Sequence, residues 1–181
     1  MITVRAISIR SALLACGRWH SHHDPPAGGL FAVGAFVAER LVCAAVVSRP
    51  VARRLDTGHV AEVTRLASDG STRGAASATL RAAAAAAAAA GYTRVVSYTL
   101  LGEAGRCYRA ARWRPTHVTR AEQWSRRSRA RRPAQQPGRK VRWETGAAAA
   151  PRSADAERAL REHTGRVAIP TRTPKQTEFA L

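Results

Sequence analysis

Apolar positions in this chain fall into short runs broken by turn-forming residues, the spacing of a sheet flanked by helices. Ile2 to Ala6 alternates and predicts a short strand; Ser11 to Trp19 predicts a short helix with Ser11 as its cap. Leu30 to Val37 and Leu41 to Ser48 are rich in Val, Phe, Leu and Ala, and Ala38-Glu39-Arg40 between them is short enough for a hairpin turn. Val60 to Ser68 predicts a third strand in the same sheet, and Asp69 to Gly74 a turn. Ser77 to Ala90 is the strongest helix signal, because alanine has the best helix propensity, and Gly91 ends it. Arg94 to Leu101 is again strand-like, so strand, turn, helix and strand make a central βαβ crossover whose two flanking strands can splay.

Beyond this core, Glu103 to Arg112 predicts a short helix ahead of Trp113-Arg114-Pro115. Thr116 to Trp124 and Val141 to Glu144 supply final strands or a hairpin arm. Ala154 to His163 predicts an isolated helix with little apolar face. The expected fold class is α/β: a mixed, mostly antiparallel sheet with flanking helices. One domain spans residues 1–144, and 145–181 is expected to be a flexible tail rich in Ala, Pro and Arg.

Composition narrows the partners. The formal net charge is +18, from 30 Lys+Arg against 12 Asp+Glu, which favours phosphate-rich partners or acidic substrates. Only Lys140 and Lys175 are lysine, and about a fifth of the 181 residues are alanine, a bias that also fits indifferent use of GC-rich codons. No apolar run is long enough to span a bilayer, and the N-terminus lacks the separate basic and apolar regions of a secretory signal. Cys16, Cys43 and Cys107 are odd in number and widely spaced, so neither a disulfide framework nor a cysteine metal site is expected. A reducing, cytoplasmic setting follows, without membrane association.

Three constellations can carry chemistry. Arg73-Gly74-Ala75-Ala76-Ser77-Ala78 places small residues where a strand opens into a helix. Backbone N–H groups there can approach an anion, and the helix N-terminus adds partial positive charge. A pyrophosphate cradle results, with Arg73 as the supporting cation. His20, His22, His23 and Asp24 crowd one Pro- and Gly-rich loop, which suits either a polar, substrate-side loop or a metal ion; no resident metal is expected. Arg126, Arg127, Arg129, Arg131 and Arg132, near Trp124 and Trp143, suit non-specific contact with nucleic acid or a solvated loop.

The order of elements and the stretch Leu66 to Trp113 resemble the GNAT superfamily of N-acetyltransferases. In that family the acyl-CoA loop reads Gln or Arg, two residues, Gly, one residue, then Gly or Ala; Arg73, Ala76 and Ala78 fall on those positions, with Ala76 departing from the usual Gly. Tyr108 matches the Tyr that precedes a Gly-aromatic pair, and Arg112 stands where that Gly is usual. The resemblance implies acyl-CoA, such as acetyl-CoA, as acyl donor, and direct attack of an amine on its thioester. It implies Glu62 as the base acting through water, main-chain N–H groups near Leu66 and Ala67 as oxyanion donors, and Tyr108 as the acid for the departing thiolate. It places the His loop beside the acceptor pocket. The His loop and element order also have weak similarity to phage and bacterial proteins related to Mom-type DNA-modifying enzymes. A base-modifying protein and a non-catalytic binding protein with a degraded CoA loop are therefore the alternative readings.

Overall fold

A computed structural model describes residues 1–19, 28–120 and 138–165. Its elements are β1 (Thr3–Ile7), α1 (Ile9–Trp19), β2 (Phe31–Val37), β3 (Arg40–Ser48), β4 (Val60–Ser68), α2 (Ala75–Ala89), β5 (Arg94–Leu100), α3 (Arg106–Ala110), β6 (Arg114–Val118), β7 (Lys140–Thr145) and α4 (Ala154–His163), with one 3-10 turn at Arg53–Leu55. The strands form one seven-stranded sheet in the order β1-β2-β3-β4-β5-β7-β6. All neighbours are antiparallel except β4 and β5, which are parallel because α2 carries the chain across the sheet between them. The predicted mixed, mostly antiparallel sheet with a central crossover is thus the fold observed.

Helices cover both faces. Ala12, Ala15 and Cys16 of α1 pack on Ala32, Ala44, Val46 and Ala67. On the opposite face Leu80, Ala83 and Ala87 of α2 join Val47, Ala61, Val63 and Val95, and the cluster continues through Tyr108, Trp113 and Trp143. Small side chains on both helices let them lie close to the sheet, so a chain poor in large apolar residues still buries its core.

Local chemistry moves several predicted boundaries. Ser11 does not cap α1: the Ser8 hydroxyl accepts the Ser11 amide at 3.0 Å, so the helix starts two residues earlier. α2 begins at Ala75 rather than Ser77, directly after Gly74 in the left-handed region, and the Ser77 hydroxyl donates back to the Gly74 carbonyl at 2.9 Å. α3 is shorter than predicted, because Gly105 turns left-handed and the Glu103 carboxylate accepts the Leu100 amide. The last strand in sequence, β7, inserts between β5 and β6, and leaves the Pro115-containing β6 at the sheet edge, where a missing N–H is tolerated.

The helix predicted to stand apart does not. α4 is capped by Ser153, whose hydroxyl accepts the Ala156 amide, and it packs against β6 with Ala156 and Leu160 buried. Leu160 belongs to the same cluster as Trp143. The two buried apolar side chains of α4, Ala156 and Leu160, are too few to register as a face in the sequence, yet they sit one helical turn apart on the same side.

Candidate active site

The sheet opens at one point. β4 and β5 pair from Val60↔Arg94 to Val63↔Ser97 and no further, although β4 runs to Ser68 on β3 and β5 runs to Leu100 on β7. At the apex the Ser97 hydroxyl donates to the Val63 carbonyl at 2.8 Å. The Tyr108 hydroxyl lies 2.8 Å from the Ser97 hydroxyl oxygen. Because the one Ser97 proton is already given to Val63, Tyr108 is the donor in its pair. From Thr64 onward β4 has no partner on its β5 side among the described residues, and Leu66 and Ala67 lie on that unpaired length.

β4 also carries a bulge. Its register against β3 passes from Val47↔Val63 to Val46↔Arg65, so Thr64 is an extra residue. In a regular strand, residues three apart face opposite ways. Here Glu62 is opposite Ser48, and Arg65 is opposite Val46 in the cluster beneath α1, so both face the α1 side. The Ser48 hydroxyl sits 3.3 Å from the Thr64 hydroxyl and 3.3 Å from the Gly28 carbonyl. The loop after α1 therefore rejoins the sheet beside this bulge. Gly29 permits that approach, since a Cβ there would fall 2.7 Å from the Val46 side chain.

Register brings further polar groups to the same face. Tyr98 on β5 is opposite Arg142 on β7, and Leu100 is opposite Lys140. Glu62 is 6% exposed and accepts the Val51 amide at 2.9 Å. Burial pushes its carboxyl above the ordinary range, against the Val51 amide and the charges of Arg65 and Lys140. Lys140 is held below its ordinary value by burial and by Arg65, with Glu62 opposing. Tyr98 is raised by burial and by Glu62. Neither Arg65 nor Lys140 was singled out from sequence; the one available signal was that lysine at 140 is rare in an arginine-rich chain.

Next to this group Glu144, wholly buried, is held by the Arg94 fork at 2.6 and 2.7 Å, by Arg142 Nε at 2.7 Å, by the Thr116 hydroxyl at 2.7 Å and by the Ala150 amide at 2.9 Å. Burial works to raise its carboxyl, but these donors outweigh it and hold the group below the ordinary range. It is a saturated structural carboxylate.

Beyond the open length of β4 lies the predicted cradle. Asp69 organises its entry: one oxygen accepts the Ser71 amide at 2.9 Å, and the other accepts Arg40 at 2.7 Å. Gly74 has φ 87°, and the Ala75 amide is taken by the Thr72 carbonyl. The amides of Arg73, Gly74, Ala76 and Ser77 have no partner among the described residues, and Ala78 begins the helical ladder by donating to Gly74. Ala76 is half-buried and packs against the cluster of Ala35, Val42, Cys43 and Ala75. Its methyl group is thus turned into the protein, and the departure from Gly leaves the neighbouring amides uncovered.

Tyr108 stands behind the apex, 5% exposed, stacked on Trp143 at 5.3 Å and edge-on to Trp113 at 5.6 Å. Burial pushes its hydroxyl well above the ordinary tyrosine range. The buried thiols of Cys16 and Cys43 are likewise raised, by burial, to about 11, which keeps them protonated at neutral pH. His20, His22, His23 and Asp24 lie outside the described residues, as do Arg126, Arg127, Arg129, Arg131 and Arg132. Among the described residues no group of three His, Cys, Asp or Glu is placed to hold a metal, and no helix is long and apolar enough to cross a membrane.

No protein-family model matches the chain, and no curated protein is similar to it in sequence. Solved structures do match in fold. The ribosomal-protein-S18-alanine N-acetyltransferase from Escherichia coli superposes with a TM-score of 0.57 at 11% identity, covering 83% of this chain and 97% of that one. An acetyltransferase of the GNAT family from Streptococcus pneumoniae gives 0.55 at 11% identity, over 81% and 99%. A GNAT family acetyltransferase from Elizabethkingia anophelis with acetyl-CoA bound gives 0.53 at 13% identity, over 80% and 97%. The fold is that of the GNAT acetyltransferases.

Proposed function

We propose that this protein is an acyl-CoA-dependent N-acyltransferase. The observation that carries the reading is the alignment of two openings along β4: the gap left where β5 departs after Ser97, and, at its far end, the amides of Arg73, Gly74, Ala76 and Ser77, which have no partner among the described residues. An extended donor with an anionic middle and a reactive end fits such a line. The amides of the α2 N-terminus, with Arg73 beside them, would hold its pyrophosphate, and the gap between the strands would admit its thioester. When bound, acyl-CoA supplies the activated acyl group and a thiol that leaves readily.

The remaining roles belong to the chain. Glu62, on the α1 face beside the apex, accepts through water the proton that the amine sheds as its nitrogen bonds to the acyl carbon. Its raised carboxyl places it nearer neutral pH than an exposed glutamate, which makes it a better match to that task. The main-chain N–H of Leu66, on the side of β4 that β5 leaves, stabilises charge on the carbonyl oxygen, whereas that of Ala67 alternates toward β3, as the Asp69 amide does in donating to Val42. Tyr108 keeps its proton and, by turning from Ser97, donates a hydrogen bond to the sulfur as the carbon–sulfur bond breaks. A thiol has an ordinary pKa near 8.5, so full proton transfer at that step is a small requirement.

Isothermal titration with acetyl-CoA tests the reading. Wild-type protein should bind, and Arg73→Glu should weaken binding by roughly tenfold or more, since it exchanges an attractive for a repulsive charge at the phosphates. No binding at millimolar acetyl-CoA overturns it.

A further inference from the structure

β2 and β3 turn into one another through Ala38 and Glu39, but β3 and β4, adjacent in the same antiparallel way, are joined by residues 49–59. A hairpin needs only about two residues to reverse, so the surplus chain does something other than turn. It folds on itself: the Leu55, Asp56 and Thr57 amides are taken by the Ala52, Arg53 and Leu55 carbonyls at 2.8, 3.2 and 2.9 Å. Its far end is anchored where the His59 carbonyl accepts the Thr93 and Arg94 amides at 3.0 and 3.3 Å. None of these bonds reaches Glu62. The bond that does comes from Val51, whose amide donates to the carboxylate at 2.9 Å.

Val51 is 70% exposed, so side-chain packing does not hold it in place. Its neighbours do. Pro50 is buried and has a fixed φ, which narrows the directions the next amide can take. Arg49 then closes the loop: its Nε donates to Asp56 Oδ1 at 3.1 Å and a terminal nitrogen donates to Oδ2 at 2.9 Å, a fork that ties the end of β3 to the far side of the 3-10 turn. An ion pair this exposed adds little to global stability. A planar, doubly bonded fork does fix direction, and this one fixes the arc of chain that carries the Val51 amide.

Among the described residues the charged and titratable groups around Glu62 are Arg65 on its own strand, Tyr98 on β5, and Lys140, Arg142 and Glu144 on β7, with Cys16 of α1 near Arg65. All of them stand on the sheet or on α1. The Val51 amide is the contribution that depends on the loop. Burial drives the Glu62 carboxyl toward its neutral form, and this amide favours the ionised form that can take a proton.

We infer that Arg49 and Asp56 are positioning residues for the general base: their fork holds the β3–β4 connection in the shape that delivers the Val51 amide to Glu62. The role of Glu62 as base rests on the acyltransfer reading above; the clamp itself does not.

The experiment follows the side-chain carboxyl of Glu62 by carbon-13 NMR across a pH titration of the full chain, its resonance assigned from Glu62→Gln. Asp56→Asn and Arg49→Lys should each raise the Glu62 midpoint by roughly 0.5 to 1 pH unit, the weight of one hydrogen bond to the ionised form. Arg49→Lys keeps the charge and loses the fork, so its rise reports geometry. A direct charge effect of Asp56 has the opposite sign, since removing a negative charge makes a nearby carboxyl easier to ionise. Asp155→Asn, which breaks the exposed pair with Arg158 on α4, should leave the midpoint unmoved. A midpoint that stays or falls in either loop variant, or that rises equally in Asp155→Asn, overturns the inference. If Asp56→Asn does not fold, Arg49→Lys decides alone. Thiol release from acetyl-CoA, offered a panel of primary amines, should show the acid limb of kcat/KM moving with the titration. No release with any amine overturns the acyltransfer reading, and the titration still decides the clamp.

Discussion

Ser97 ties β5 to Val63 of β4 by a 2.8 Å side-chain bond at the last residue pair before the two strands part. A hydroxyl that bonds a neighbouring strand's carbonyl competes with the ladder. Here it closes the apex, and Tyr108 holds the hydroxyl in place from behind.

That geometry sets the expectation for Tyr108→Phe. The ring stack on Trp143 is kept and one buried hydrogen bond is lost, so stability should fall by about 1 kcal/mol in urea denaturation. Steady-state acetyl transfer should fall by less than about tenfold, because the thiolate leaves with little help. A much larger loss of kcat would identify Tyr108 as an obligatory proton donor.

Glu62→Gln should separate function from stability. Removing the base should cost on the order of 100-fold in kcat. The folded carboxyl is raised above its unfolded value, so the native state binds the extra proton between the two. Glu62's contribution is fully present at low pH and is lost as pH rises through its folded pKa. Gln keeps an acceptor for the Val51 amide and never ionises, so the variant should gain on wild type as pH rises from 4 to 8, read by paired denaturation curves.

Glu144 runs the other way. Its folded carboxyl is lowered, so its stabilisation is present above the unfolded range and is lost as pH falls through the folded pKa. Glu144→Gln should destabilise by about 3 kcal/mol at pH 7, because it leaves Arg94 and Arg142 without their counter-charge. The gap to wild type should shrink on acidification.

Among the described residues three left-handed positions carry side chains that pay for the conformation. α2 and α3 end in the same doubly bonded turn, with Tyr92 reaching back to Ala87 and Trp113 to Tyr108, but the left-handed residue is Gly91 in one and Arg112, at φ 65°, in the other. Arg112→Gly should stabilise by about 1 kcal/mol. The hairpin turn likewise puts Ala38 and Glu39 at φ 45° and 61°, so Ala38→Asn with Glu39→Gly should add roughly 1 to 2 kcal/mol. Thermal melts check both.

The β4–α2–β5 crossover was legible because alternation, a Gly-containing turn and an alanine helix follow one another without interruption. The turn that opens into α2 was legible for the same reason, since its residues are contiguous. The bulge was not: Thr64 is an ordinary strand residue, and only its pairing with β3 makes it extra. Arg65 and Lys140 were missed with it, because they share a face only after that bulge and after β7 slips in beside β5. The neighbours of Leu160 were equally hidden, since its burial depends on where β6 lies. Local order was written in adjacent residues; the polar group on the α1 face was written in register.

The insertion of β7 between β5 and β6 has a consequence for how the polypeptide matures. Until Lys140 to Thr145 leave the ribosome, β5 presents a bare edge, and β6 has no place to dock. Both the β5–β7 and the β7–β6 pairings wait for one late segment, and a chain interrupted before it would expose an adhesive strand edge without Glu144 or Trp143 to seal it. Closure of the sheet thereby waits on the strand that is made last.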